Sequence, residues 1–307
     1  MRVMILGYKN RPGVKETVDE LRATIQEHAE IVLEDLTGEA DLSGVEVDVA
    51  LVFGGDGSIL RAVKQMGERQ FPVMAINLGR LGFMADISRE EVGELLPVLQ
   101  EHIILCGPDW MEHSRETNTV GIPRAAKTHF TISEHLLLDC TVIKKSGEKR
   151  EIVTARVMNE VAIQNASFHI MEVKLYADEE FVTTYSCDGL ILSTPIGSTA
   201  HNLSVGGPIL RQDLEAIVIS PIAPHTLTYR PVVDSARRTY RLEVFSPQAQ
   251  TSVVIDGNIL CAIEPEDTVK ITPSKIRFKM LNVPGYSYYT TLQKKLGWSG
   301  HPNYQVK

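Results

Sequence analysis

The feature that most restricts this chain is a change of hydrophobic period near residue 136. Before it, strand-like runs at 2–7, 30–34, 48–53 and 72–76 alternate with helix-like runs at about 13–28, 57–68 and 88–101. Such alternation predicts an open α/β domain with a parallel sheet, because a crossover long enough to hold a helix returns the chain in the same direction. After it the runs are short and β-rich, at 136–143, 152–164, 169–177, 181–194, 216–221, 239–246, 252–263, 267–271 and 276–283, with one helix-compatible insert near 198–205. Turn signals such as Lys145-Ser146-Gly147-Glu148 and Asp178-Glu179-Glu180 separate several of them. Many short strands at that spacing predict a β-sandwich-like domain.

The expected organisation is therefore an α/β domain over 1–112, a polar loop or linker insertion over 113–135, and a β-rich domain over 136–285. The tail from 286 to 307 carries a short helical stretch that can pack back on the first domain. A length of 307 residues agrees with two domains at about 150 residues each.

Lys and Arg number 31 against 39 Asp and Glu, giving a net charge of −8 that argues against a nucleic-acid or polybasic membrane binder. No apolar stretch approaches the roughly 18 residues of a spanning helix. The opening Met1-Arg2-Val3-Met4-Ile5-Leu6-Gly7 has too short an apolar core for a secretory signal and reads as a first strand. A cytoplasmic protein is expected, in which an anionic ligand must find locally positive groups or bring a metal ion. The four cysteines, Cys106, Cys140, Cys187 and Cys261, show no C-x-x-C spacing and read as buried free thiols.

Gly54-Gly55-Asp56-Gly57-Ser58 is the sharpest local signal. It closes the run Val47 to Phe53, and helical spacing resumes with Ile59, Leu60, Val63 and Met66. A turn rich in glycine can bring backbone N–H groups close to a phosphate, and the following helix start adds donors and a favourable dipole. Asp56 is its one carboxylate, suited to accept a proton from an attacking hydroxyl or to orient a metal-bound phosphate; the alternative is a plain turn whose aspartate caps the helix. Neither a Walker A motif nor the Rossmann G-x-G-x-x-G is present.

A second constellation runs from Asp188 to Pro208, where an apolar strand ends in Ser193-Thr194-Pro195 and small hydroxyl residues and glycines follow. That composition suits a surface which a polar ligand approaches closely, though Ser, Thr and Gly also build turns and caps. Asn159-Glu160 interrupts a β-patterned run and offers an amide and a carboxylate, to a ligand or to solvent. His225, between prolines and hydroxyl residues, reads as structural, without an obvious proton-transfer partner, and Arg237-Arg238 as a solvated turn.

In this order, Gly54-Gly55-Asp56-Gly57, Asn77-Leu78-Gly79-Arg80-Leu81-Gly82-Phe83, Asn159-Glu160, the stretch Asp188 to Pro208, Ser220-Pro221-Ile222-Ala223-Pro224-His225 with Arg230-Pro231, and Asp256-Gly257 closely resemble the NAD kinases. The resemblance implies phosphoryl transfer from ATP, or from inorganic polyphosphate, to the 2′-hydroxyl of the adenosine ribose of NAD, with Mg²⁺ or another divalent cation. It implies Asp56 as general base, and Gly54, Gly55, Gly57 and Ser58 as the phosphate-binding loop. For NAD it implies Asp56, Gly57, Arg61, Asn159, Glu160, His169, Asp188, Thr199, Ala200, His201, Ser204, Ala223 and Asn258. It further implies a homodimer or homotetramer, with no nucleic-acid or membrane partner. No protein ligands for the cation are legible, and the donor phosphates can supply them.

Two positions depart from the family pattern: Ile196 stands where Thr is common, and His201 where Tyr is common. These bear on NAD against NADH preference. Diacylglycerol, sphingosine and sugar kinases share the Gly-Gly-Asp-Gly turn but leave Asp188 to Pro208 unexplained, and a lipid kinase should show a membrane-docking surface. A non-catalytic dinucleotide-binding regulator is the alternative from another class, and the presence of Asp56 argues against it.

Overall fold

The computed structural model describes residues 1–79, 82–85, 87–115, 130–146, 149–165, 170–245, 251–284 and 287–298. They fall into two units, Met1–Glu134 with Lys279–Lys307, and His135–Phe278.

The first unit runs β1 (Arg2–Leu6), α1 (Val14–His28), β2 (Glu30–Asp35), β3 (Val49–Gly54), α2 (Asp56–Met66), β4 (Val73–Asn77), β5 (Ile87–Ser88), α3 (Val92–Cys106) and α4 (Trp110–His113). Strands β4, β3, β1 and β2 lie side by side in that order, all parallel. β3 is buried along its whole length, which explains its unbroken apolar sequence: a parallel strand covered on both faces has no polar side to alternate with. Helix α1 meets the core through Val14, Val18 and Ile25, and α3 through Val92, Leu96, Leu99 and Ile103, each a stripe at helical spacing. β1 leads through α1 to one side of the sheet and β3 through α2 to the other. The loops after β1 and β3 thus diverge at a topological switch point, where open α/β sheets hold ligands.

The second unit comprises most of β6 (Thr131–Ser146), then β7 (Lys149–Val157), β8 (Glu160–Asn165), β9 (Met171–Ala177), β10 (Glu180–Cys187), β11 (Gly189–Ser193), α5 (His201–Ser204), β12 (Ala216–Ile222), β13 (Val232–Ser235), β14 (Tyr240–Phe245), β15 (Thr251–Ile255), β16 (Asn258–Ala262) and most of β17 (Thr268–Asn282). One antiparallel sheet has the order β13-β12-β11-β8-β15-β16. The other has β10-β9-β14-β17, with β6 on β17 and β7 on β6. Val173, Leu175, Leu242 and Ile271 of one sheet share a core with Val161, Ile163, Leu190 and Val253 of the other. Alternating burial along β9 and β15 is the signature of such sheets packed on one face. An α/β unit joined to a two-sheet β unit is the fold class expected from the period change.

Several strand readings need correction. The runs 152–164 and 181–194 are not single strands: each breaks at a corner, between β7 and β8 and between β10 and β11, where the chain leaves one sheet for the other. The run 252–263 is a hairpin turned at Asp256 and Gly257, whose φ values of 48° and 79° suit an Asp-Gly turn. The runs 267–271 and 276–283 are one strand, β17. At the end of β17, Met280 pairs with Val73 of β4, and the tail continues into α6 (Tyr288–Leu296) in the first unit. Of the stretch 113–135, His113 closes α4, β6 begins at Thr131, and 116–129 lie outside the described residues.

Cys140 and Cys187 are buried free thiols that burial pushes up to about 12, whereas Cys106 and Cys261 are only half-buried. No helix among the described residues is long and apolar enough to cross a membrane.

Candidate active site

The glycine turn sits at the carboxyl end of β3. Gly54 has φ +144°, and a Cβ there would stand 2.0 Å from Ser58 Oγ, so only glycine lets the chain turn this tightly into α2. Ser58 is accordingly buried beneath the turn, while Gly57 is exposed. α2 begins with Gly55 as its N-cap and no side chain caps it, which leaves its first N–H groups for an external acceptor.

Asp56 faces a segment well removed in sequence. Its Oδ2 accepts the N–H of Phe83 at 2.8 Å, and its Oδ1 accepts those of Met84 at 3.1 Å and Ala85 at 3.2 Å. A carboxylate offers about four acceptor directions, so Oδ2 retains one. The same segment is met from the tail by Lys295, whose Nζ lies 5.2 Å from the centre of the Phe83 ring.

Arg61, on α2, stacks its guanidinium over the Tyr8 ring at 4.1 Å, which ties α2 to the loop after β1. That loop also carries a residue the sequence reading missed. The guanidinium of Arg11 lies so close to the turn that a Cβ on Gly55 would stand 3.2 Å from both its Nη1 and Nη2. Cβ atoms on Gly54 and Gly79 would stand 3.6 Å and 3.8 Å from it. The ends of β1, β3 and β4 must be adjacent before Arg11 and these glycines meet, and no local pattern reports that.

In the β unit, Asn159 and Glu160 form the corner between β7 and β8. Asp256 holds this corner: its Oδ1 accepts the N–H of Asn159 at 2.7 Å and of Glu160 at 3.1 Å, and its Oδ2 that of Met158 at 3.0 Å. The loop after β11 closes on the same corner. Thr194 Oγ1 donates to the Met158 carbonyl at 2.6 Å and Thr194 N–H to the Asn159 carbonyl at 2.8 Å. Gly197 is required there, since a Cβ would stand 2.1 Å from the Asn159 oxygen.

Glu160 is 5% exposed and its Oε2 has no hydrogen-bond partner among the described residues. Burial, then the charge of Asp256, push its carboxyl up to about 7, against the pull of the His201 N–H. A buried carboxyl with an unused oxygen is suited to receive a ligand hydroxyl or amide.

The stretch Asp188 to Pro208 divides by exposure. Ser193, Thr194, Ser198 and Asn202 are fully buried, and their polar atoms serve their own loop and its neighbours: Ser198 Oγ accepts Leu210 N–H at 2.9 Å, and Asn202 Oδ1 accepts Ser220 Oγ–H at 2.7 Å. Those hydroxyls build the loop rather than line it. Thr199, Ala200, His201 and Ser204 are half-buried or exposed and remain able to meet a ligand. Of the two departures from the family pattern, Ile196 is 3% exposed and His201 half-buried.

Asp188 is exposed at the corner between β10 and β11, and its Oδ1 lies 3.0 Å from His225 Nε2. His225 thus has the partner that the sequence did not reveal. Ala223, with φ 42°, and Asn258, whose Nδ2 donates to the Asp256 carbonyl at 3.2 Å, are exposed. His169 lies outside the described residues.

A glycine turn at the switch point of a parallel sheet, in one chain with a two-sheet β unit whose corner holds a buried carboxyl, suits an α/β-plus-β protein that binds a phosphorylated ligand. Residues 9–104 match the ATP-NAD kinase N-terminal domain and residues 158–283 the ATP-NAD kinase C-terminal domain. The chain belongs to the NAD kinase family. An NAD kinase of Rhodopirellula baltica is 45% identical over 97% of this chain and 87% of its own, and one of Burkholderia pseudomallei 34% identical over 98% and 95%. Among solved structures, a yeast NADH kinase complexed with NADH superposes with a TM-score of 0.80 at 19% identity, over 99% of this chain and 89% of its own. An NAD kinase from Archaeoglobus fulgidus in complex with ATP gives 0.66 at 22% identity, over 97% and 98%.

Proposed function

We propose that this enzyme transfers the terminal phosphoryl group of ATP to the 2′-hydroxyl of the adenosine ribose of NAD, with Asp56 as general base. The observation that carries the reading is the turn itself: a carboxylate at the first residue of an uncapped helix, beside glycines that expose backbone N–H groups. The names of the relatives, and the ATP and NADH of the two structural neighbours, support the choice of substrates.

A ribose hydroxyl is a weak nucleophile at neutral pH, so the rate depends on in-line positioning and on neutralising the transferring oxygens. The free direction of Asp56 Oδ2 takes the hydroxyl proton while the ribose oxygen bonds to phosphorus. The bond from phosphorus to the bridging oxygen breaks, and ADP leaves with its electron pair. Asn159, Glu160, Asp188 and His201 are the β unit's proposed NAD-holding residues.

No cluster of three or more His, Cys, Asp or Glu side chains among the described residues is placed to hold a metal ion. The residues present fit a divalent cation carried by the triphosphate itself, which supplies charge neutralisation when bound. A cytoplasmic homodimer or homotetramer completes the proposal. The test is an endpoint assay with NAD, ATP and Mg²⁺ read by an NADP-specific dehydrogenase, with NADH and polyphosphate in parallel. NADP formation is expected; measurable NAD binding with no NADP from any donor would turn the assignment to a non-catalytic regulator.

A further inference from the structure

Two arginines of the α/β unit stand apart from the rest. Every other arginine among its described residues pairs with a carboxylate, as Arg22 does with Glu34 and Arg69 with Glu46. Arg11 and Arg61 have no such partner among the described residues, and both lie beside the glycine turn. Arg61 spends one face on Tyr8. Arg11 instead rests against Gly54, Gly55 and Gly79, side by side with the uncapped start of α2.

In the free protein a guanidinium beside a helix N-terminus adds to a positive dipole end, a repulsion met within the turn by the first-turn carboxylate of Asp56. Pairing Arg11 with an anion would relieve it. A guanidinium is always charged, and its planar fork matches phosphoryl oxygens in pairs. In a chain of net charge −8, two arginines without a carboxylate partner among the described residues make the turn locally positive.

We propose that Arg11 binds the transferring phosphoryl group of the donor triphosphate, closing on its oxygens from the loop after β1 while the N–H groups of the glycine turn hold the chain from the other side. The inference rests on the reading of this site as phosphoryl transfer and adds a residue and a role to it. A Cβ on Gly55 would make the guanidinium give by a few tenths of an ångström.

The test varies ATP and NAD separately in Arg11→Ala and Arg11→Lys, and measures binding of inorganic triphosphate by calorimetry. Arg11→Ala is expected to raise KM for ATP and Kd for triphosphate by about 10- to 100-fold, the weight of charge-assisted hydrogen bonds, and to lower kcat. KM for NAD should stay in place. Free guanidinium ion should restore part of the Arg11→Ala rate, and Arg11→Lys should keep more affinity than turnover because the fork is lost. Unchanged ATP parameters would overturn the inference, as would a shift confined to NAD or a loss that follows a lowered Tm and ignores guanidinium. If the native protein forms no NADP, the activity reading fails by itself, and triphosphate binding by native and Arg11→Ala protein still decides the role of Arg11.

Discussion

Asp56 and Asp256 perform the same local task in different units. Each precedes a glycine, and each carboxylate accepts three consecutive backbone N–H groups from a distant segment: Phe83 to Ala85 for Asp56, Met158 to Glu160 for Asp256. The segments differ in what else holds them. The Met158–Glu160 corner also has its carbonyls tied by Ser193 and Thr194, and it lies between two paired strands. The Phe83–Ala85 segment lies outside the strands; Met84 and Ala85 are buried, and among the described residues its other hydrogen bond is from the Gly82 N–H to the Ala85 carbonyl, with Lys295 over Phe83. A carboxylate with a free acceptor direction can take up a proton during turnover; one embedded in a closed network serves best by staying still.

That contrast predicts opposite outcomes for one substitution at two positions. Asp56→Asn should lower turnover by about 10²- to 10⁴-fold, the range for a general base, with a small change in NAD affinity and in Tm. Asp256→Asn should instead cost about 2–4 kcal/mol in stability, because its one remaining oxygen can serve the Asn159 and Glu160 N–H groups only while the amide NH2 is turned against the Met158 N–H. Thermal unfolding beside steady-state kinetics reads both. If Asp256→Asn kept its Tm and lost its turnover, the distinction would collapse.

The next effect concerns Glu160 in the nucleotide-free protein. Burial and the nearby Asp256 raise its carboxyl from 4.5 to about 7, so the folded state holds a proton that the unfolded state releases. Stability must then fall as pH rises through this window, the reverse of an ion-paired carboxylate. Glu160→Gln should be more stable than the native protein by about 3 kcal/mol near pH 8 and indistinguishable near pH 4. A constant difference across the range would show that Glu160 does not titrate there.

The smallest effect is dynamic. Amide hydrogens of Phe83 to Ala85 should exchange about tenfold faster than those of Met158 to Glu160, since local opening follows the number of contacts that must break. Equal protection would make the two clamps equivalent.

What the sequence made legible follows from how far each signal reaches along the chain. The turn at Gly54-Gly55-Asp56 could be read because strand end, glycine conformation and helix start lie within a few residues. The loop after β11 could be located but not sorted: Ser193, Thr194, Ser198 and Asn202 look like ligand groups, and only packing shows that their polar atoms are already used inside. The corners at Asn159 and Asp188 were hidden because an apolar pattern continues when a strand passes from one sheet to the other. Arg11 and the clamp of Asp256 depend on neighbours brought together by topology, the latter across 96 to 98 residues.

The return of β17 to the α/β unit bears on how the chain is made. Proteins emerging from the ribosome generally complete their domains from the N-terminus onward. Here the β unit is contiguous in sequence and nested inside the other, whose Leu281 and Val283 core residues and partner for Val73 lie beyond Phe278. The α/β unit must therefore wait, with Val73 of β4 lacking its β17 partner, until the segment after Phe278 has been made. A nascent chain stalled before Lys279 would carry a finished β unit and an incomplete nucleotide fold, a species for chaperones to shelter rather than an early-folding domain.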